Sequence, residues 1–336
     1  TPTASNITII TKRILIVLGA LIALVFVSRF FNFGSANRPM VFGVTFSAPQ
    51  AEYLGLDWRA TYLDMLDNLK IKNLRLLAYW NQIEVTPDQY DFIDLDWQVA
   101  EATKRGVKII MTIGRRLPHW PECHSPGWTK DLSEKENQAE ILTMIKTVTE
   151  HYKDQPGIVM WQVDNEPLVD WFGSCPKPDR DFVKKEIALV KSLDSRPVLI
   201  TDSGELSSWV WAARLGDYFG TTMYRVVWNK YIGYWSYDWF LPPAFYTLKA
   251  KLNGLDLNKV IVAELQTEAW LRDDISKISL EEQKKSINPE QFRKNIGVAR
   301  RTGFSEAYLW GVEYWYWLKD KQGDVSLYEE AKKLWH

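Results

Sequence analysis

The sequence predicts an α/β fold, a (β/α)8 barrel preceded by an N-terminal membrane-anchor helix. Three observations carry the barrel. Eight short apolar segments of strand length recur along the chain, helix-like segments fill most of the gaps, and no glycine-rich phosphate loop follows the first strand. Repeated βα units imply a parallel sheet covered by helices. Eight of them over roughly 300 residues suit a closed barrel better than an open doubly wound sheet. The missing phosphate loop argues against a dinucleotide fold.

A first strand from Val41 to Phe46 is stopped by Ser47-Ala48-Pro49. Trp58 to Asn68 reads as a helix and Asn73 to Tyr79 as the second strand. Leu95 to Arg105 is helical until Gly106 stops it; Val107 to Ile113 is then a mostly apolar strand, as expected where both faces are buried. Ser133 and Glu136 have capping-box spacing at the start of a long helix to Tyr152. The fourth strand runs from Ile158 to Val163, a helix from Asp179 to Leu193, and the fifth strand from Pro197 to Thr201. A helix from Ser207 to Leu215 and a strand from Tyr218 to Tyr224 follow. Arg225 to Asn258 reads as one long aromatic loop, of the kind that is more often functional than decorative. The seventh strand is Val260 to Ala263. Asn288-Pro289 opens a helix with proline at its first position. Ala307 to Gly311 is the eighth strand, and Ser326 to Trp335 the closing helix.

The chain carries 41 basic and 42 acidic side chains, so no net charge draws it toward nucleic acid or anionic lipid. It holds 17 Trp, 15 Tyr and 14 Phe, many of them in loops beside proline and glycine. Some form the core; rings on loops offer flat apolar faces that suit the C–H faces of sugars. At the amino end, Lys12 and Arg13 precede an apolar run from Ile14 to Val27, closed by Ser28 and Arg29. With its flanks through Phe31 the run approaches the ~20 residues of a spanning helix. A cleaved signal peptide is the alternative, but bulky Val25-Phe26-Val27 offers no good cleavage site. The reading is therefore a signal anchor in residues 1–33, a linker over 34–40 and a barrel over 41–336. The membrane is a partner through the N-terminal segment, and basic residues on the inner side leave the barrel extracytoplasmic. Cys123 and Cys175 fall in loops leaving neighbouring strands, where an oxidising compartment permits a disulfide; two free thiols are the alternative. Two cysteines with widely spaced histidines make no zinc site, so no metal is expected.

Functional side chains of barrels project from the C-terminal strand ends. Glu166 stands there in Asp164-Asn165-Glu166-Pro167, and Glu264 stands directly behind Val260-Ile261-Val262-Ala263. Carboxylates abutting buried strands are costly unless solvated or used. Two structural carboxylates paired to Arg75 or Arg115 would be the bland explanation. Two carboxyls flanking a glycosidic bond are what its cleavage needs: about 5–5.5 Å apart for retention, roughly 6.5–9.5 Å for inversion.

The run Trp161-Gln162-Val163-Asp164-Asn165-Glu166-Pro167 resembles the fourth-strand signature of clan A glycoside hydrolases, the barrel clan of cellulases, mannanases and β-galactosidases. The resemblance covers most of the chain after residue 40. It implies a retaining cleavage of β-glycosidic bonds in an oligo- or polysaccharide, with Glu166 as acid/base, Glu264 as nucleophile and no cofactor. It further implies that Arg75 supports the nucleophile, that Asn165 binds the sugar 2-hydroxyl, that Tyr224 hydrogen-bonds the nucleophile and that Trp310 floors the central subsite. The histidine expected at the site falls to His119 rather than His124, both in the loop after the third strand. Trp228 in the aromatic loop and Glu313 just past the last strand are read as substrate contacts, and Glu268 as the weaker candidate for nucleophile. A transglycosylase remodelling surface glycans, or a non-catalytic carbohydrate-binding cell-surface protein, are the alternatives.

Overall fold

The computed structural model describes residues 39–336 together with Gly19. Ten strands are present among them: β1 Val41–Phe46, β2 Asn73–Leu77, β3 Lys108–Ile113, β4 Ile158–Val163, β5 Val198–Asp202, β6 Tyr218–Met223, β7 Val226–Asn229, β8 Gly233–Ser236, β9 Val260–Gln266 and β10 Glu306–Trp310. Eight close into a barrel in the order β1-β10-β9-β6-β5-β4-β3-β2, while β7 and β8 form a separate antiparallel hairpin. The barrel pairs are parallel, as βα repeats require.

Helices cover the barrel. Glu134–Tyr152 starts with the expected capping box, and Pro289–Arg301 starts behind Asn288, whose side chain accepts from the amides of Glu290 and Gln291. β2, β5 and β9 are buried along their whole lengths, so their sequences are apolar without alternation wherever no chemistry intervenes. Ile110, Met160, Leu199, Ile261 and Tyr308 come from five different strands and form a cluster apart from the main core. Such layers of inward side chains are how a closed barrel fills its interior. Gly43 makes room for one of them: a Cβ there would stand 2.7 Å from the Tyr308 ring.

Four expectations need correction or placing. Ser207 to Leu215 is not a helix; only the short turn Ala212–Arg214 is helical. Trp209 has φ 68°, buries its ring and donates its indole N–H to the Ser203 carbonyl at 2.8 Å, so tertiary packing wins over helix propensity. The stretch Arg225 to Asn258 is not one loop: it holds the β7–β8 hairpin and the helix Pro243–Leu252. β9 continues past Ala263 to Gln266, so Glu264 lies within the strand, where its pairing with β6 shifts register. The Gln266 side chain holds that extension, accepting from the amides of Arg225 and Val226 and donating to the Val226 carbonyl. The apolar run Ile14 to Val27 lies, apart from Gly19, outside the described residues. Among the described residues no helix is long and apolar enough to cross a membrane.

Candidate active site

A cavity of about 360 Å³ opens where the ends of β4, β6, β9 and β10 meet the loop after β3. Its lining includes Asn165, Glu166, Glu264, Tyr224, His119 and Trp310.

The floor is built around Arg75, which β2 places with no solvent exposure. A buried guanidinium must find acceptors in its own plane. Nε donates to Gln162 Oε1 at 2.8 Å, Nη2 to Asn165 Oδ1 at 2.8 Å, and Nη1 approaches Glu264 Oε1 at 3.2 Å. The other oxygen of Glu264 accepts from the Tyr224 hydroxyl at 2.9 Å. Burial, with Glu264 beside it, pushes the Tyr224 phenol well above its ordinary pKa, so it stays a donor. Both oxygens of Glu264 are thus held by groups from other strands. Asn165 is fixed in the same net, accepting from Arg75 and from the Thr201 hydroxyl at 3.2 Å.

Glu166 faces different surroundings. It follows β4 with φ 47°, a left-handed conformation that a residue with a side chain seldom adopts, and its amide donates to Thr201 Oγ1 at 2.8 Å. Burial first, then the charges of Glu264, Glu122 and Asp202, push its carboxyl well above the usual carboxylate range. One carboxyl held by donors and one surrounded by acids stand in the contrasting environments that acid/base chemistry exploits.

His119, with φ 74°, lays its ring 4.3 Å from the Trp310 ring, and burial lowers its pKa to about 3, so the imidazole is neutral. His124 turns away, its ring 4.5 Å from Tyr79. Glu268 also lines the cavity, but its Oε1 accepts from the Trp310 indole at 2.7 Å, and burial raises its carboxyl to about 7. Two expected contacts lie elsewhere. Alternation along β7 turns Val227, not Trp228, to the cavity. Glu313 sits in the first turn of the helix Val312–Gln322 and accepts the backbone N–H of Ser47. The sequence reading missed Glu122, Glu205, Trp171, Phe172 and Trp270, which also line the cavity. The abundance of loop aromatics was the one visible signal for Trp171, Phe172 and Trp270. Among the described residues no group of His, Cys, Asp and Glu could hold a metal ion.

Cys123 and Cys175 are bonded, with Cα atoms 5.4 Å apart, and tie the loop after β3 to the loop after β4.

Comparison with known proteins bears on the fold and on the clan. The glycoside hydrolase 42 family model, described as β-galactosidase, matches residues 129–196, a span that includes β4 and Glu166. Mannan endo-1,4-beta-mannosidase 3 of Arabidopsis thaliana is 26% identical over 176 residues, 43% of this chain and 41% of that protein. Mannan endo-1,4-beta-mannosidase 1 of Solanum lycopersicum is 24% identical over 169 residues, 40% of this chain and 42% of the relative. The chain thus spans less than half the length of the curated relatives it matches. Among solved structures, the cold-adapted β-galactosidase from Rahnella sp. R3 superposes with a TM-score of 0.62 at 11% identity, covering 90% of this chain and 56% of that one. Xylanase 10B from Thermotoga petrophila RKU-1 gives 0.56 at 15% identity, covering 81% and 82%. These structural likenesses speak to the fold. Barrel, family match and mannanase relatives together are signals of glycoside hydrolase clan A, the clan that the fourth-strand motif resembles.

Proposed function

We propose that this protein is a retaining β-glycoside hydrolase acting on an oligo- or polysaccharide, with Glu264 as nucleophile and Glu166 as acid/base. The observation that carries the reading is the contrast inside one cavity. Arg75 and Tyr224 hold both oxygens of Glu264, while burial and acidic neighbours push the Glu166 carboxyl well above the usual carboxylate range. Glu264 attacks the anomeric carbon as the glycosidic C–O bond breaks, and Glu166 gives its proton to the departing oxygen. Glu166, now ionised, takes a proton from water; that water attacks the same carbon and frees Glu264. His119 and Trp310 give the bound sugar a neutral polar edge and an apolar face. No step needs a cofactor.

The mannanase relatives make β-1,4-mannan the first polymer to test, followed by xylan and by aryl β-galactosides. Wild type should release reducing sugar from one of these, and proton NMR should show the β-anomer first. Glu166→Gln should cut turnover steeply and Glu264→Gln should reduce it to background, each with far-UV circular dichroism unchanged at 25 °C. Wild-type binding without turnover would replace the hydrolase with a carbohydrate-binding protein. Products longer than the substrate would favour a transglycosylase.

We further place the barrel outside the cytoplasm, attached through the N-terminal segment. Support comes from the Cys123–Cys175 bridge, since structural disulfides persist in oxidising compartments, and from the apolar run behind Lys12-Arg13. Fractionation of cells with alkylation of accessible thiols tests it: a cytosolic, reduced protein would end the assignment.

A further inference from the structure

Beyond the reacting centre, the cavity has a wall that the chemistry above does not use. Trp120, Trp171 and Phe172 line it while remaining 71%, 53% and 40% exposed. Trp120 belongs to the loop after β3, and the other two to the loop after β4; the Trp120 and Phe172 rings lie 6.5 Å apart, edge to face. Large apolar rings left in water next to a cavity mark a surface built to be covered.

The wall is held rigidly from behind. The Cys123–Cys175 bond joins the two loops, and Ser174 donates its amide to the Pro121 carbonyl at 2.9 Å. The buried Arg116 guanidinium spans them, donating to the carbonyls of Val169 and Phe172 at 3.0 and 2.9 Å. Gly173, at φ 87°, lets the chain pass against Glu122, where a Cβ would come within 2.8 Å. Glu122 itself is 4% exposed, has φ 71°, and its Oε2 has no hydrogen-bond partner in the protein. Rings fixed in advance lose little conformational entropy when a ligand covers them.

Position decides the occupant. Trp171 and Phe172 follow Glu166 on the same loop, and the Val169 amide returns to the Glu166 carbonyl at 3.0 Å. The acid must stand beside the oxygen it protonates, so the sugar attached through that oxygen lies on the Glu166 side. We propose that Trp120, Trp171 and Phe172, with Glu122 beneath them, form a leaving-group subsite that stacks a sugar ring of a β-linked oligosaccharide. The protein therefore cleaves between sugars of a chain rather than trimming small non-sugar groups. This rests on the assignment of Glu166 as the acid.

Two substrates separate the subsite from the reacting centre. A β-glycosyl fluoride carries a leaving group with no ring to stack, whereas β-1,4-mannopentaose, xylopentaose and cellopentaose place sugars on the wall. Trp171→Ala should lower kcat/KM for the cleaved pentaose by about three- to tenfold more than for the fluoride, the size of an aromatic contact worth roughly 0.5–1.5 kcal/mol. Trp120→Ala should do the same, with the change in KM. Equal losses on both substrates, or none on either, would overturn the proposal. A binding arm keeps the two readings apart: the pentaoses are titrated against Glu264→Gln with and without Trp171→Ala. Binding weakened by Trp171→Ala, with wild type inactive, sinks the hydrolase and with it the leaving-group role, and keeps only the stacking of a sugar on the wall. Binding indifferent to it sinks the subsite even if wild type is active.

Discussion

The floor of the cavity and its rim solve placement in opposite ways. The floor is made by strands: Arg75 from β2, Gln162 from β4 and Glu264 from β9 meet because their strands are registered in one closed sheet. Its charges are buried and paired. The rim is made by loops whose backbone is unusual: Gly114, His119, Glu122, Asp164, Glu166 and Gly173 all have positive φ. Its apolar rings are exposed, and a covalent bond reinforces the hydrogen bonds between its loops. Left-handed residues with side chains persist only where the surroundings over-determine them, and such residues gather at functional sites. Glu166 belongs to both regions, with its backbone in the rim and its carboxyl over the floor.

The largest effects should come from the two glutamates, and they test whether floor and rim hold different chemical roles. Glu166→Gln should lower turnover about 10²–10⁴-fold, the usual worth of a general acid. Glu264→Gln should reduce it to background. If Glu264→Gln keeps near wild-type turnover and Glu268→Gln does not, the nucleophile is misassigned, and the Trp310–Glu268 contact becomes the centre of interest. Next comes Arg75→Met. It leaves Glu264, Gln162 and Asn165 without their shared donor in a buried place, so stability should fall by about 3–5 kcal/mol along with activity. An unchanged urea midpoint would show that the floor does not depend on this charge.

Cutting the rim's covalent brace should cost less. The bridge closes a loop with a sequence separation of 52, for which loop entropy gives roughly 4 kcal/mol at most and common experience about 2–4. Cys123→Ser with Cys175→Ser should lower the melting temperature and raise KM for oligosaccharides more than it lowers kcat on a glycosyl fluoride. A fall in kcat on both substrates alike would mean that the brace serves the floor as well.

The same contrast explains what the sequence disclosed. The eight strands and the glutamates Glu166 and Glu264 were legible because apolar runs mark buried parallel strands, and their ends define one face of a barrel; Arg75, Asn165, Tyr224 and Trp310 were singled out by the resemblance that the fourth-strand motif carries. Trp228 and Glu313 were misplaced because their direction depends on facts no local pattern states. One is the phase of a hairpin inside a long connection; the other is the start of a helix directly behind a strand. Glu122 was invisible for a stronger reason. Its place follows from a positive φ, the neighbouring disulfide and the close passage of Gly173, all of them long-range. Trp209 undid a helix in the same way, by burying its ring from a left-handed backbone.

The smallest predicted effect on activity concerns the acids buried around the floor but outside the reaction. Glu313 is 1% exposed; it accepts the Ser47 amide, and burial pushes its carboxyl up to about 8. A group whose pKa is raised by folding holds its proton more tightly in the native state. Its contribution is fully present below the unfolded value, near 4.5, and is lost as pH rises toward 8. Within that window one such group makes stability fall by up to ~1.4 kcal/mol per pH unit. Glu313→Gln keeps an oxygen to accept from Ser47 and has no proton to lose. The variant should therefore show a flatter decline of the urea midpoint between pH 5 and 8 than wild type, with activity at pH 6 little altered. A slope equal to wild type would mean that Glu313 is already ionised in the folded protein, with the Ser47 amide outweighing the cost of burying its charge.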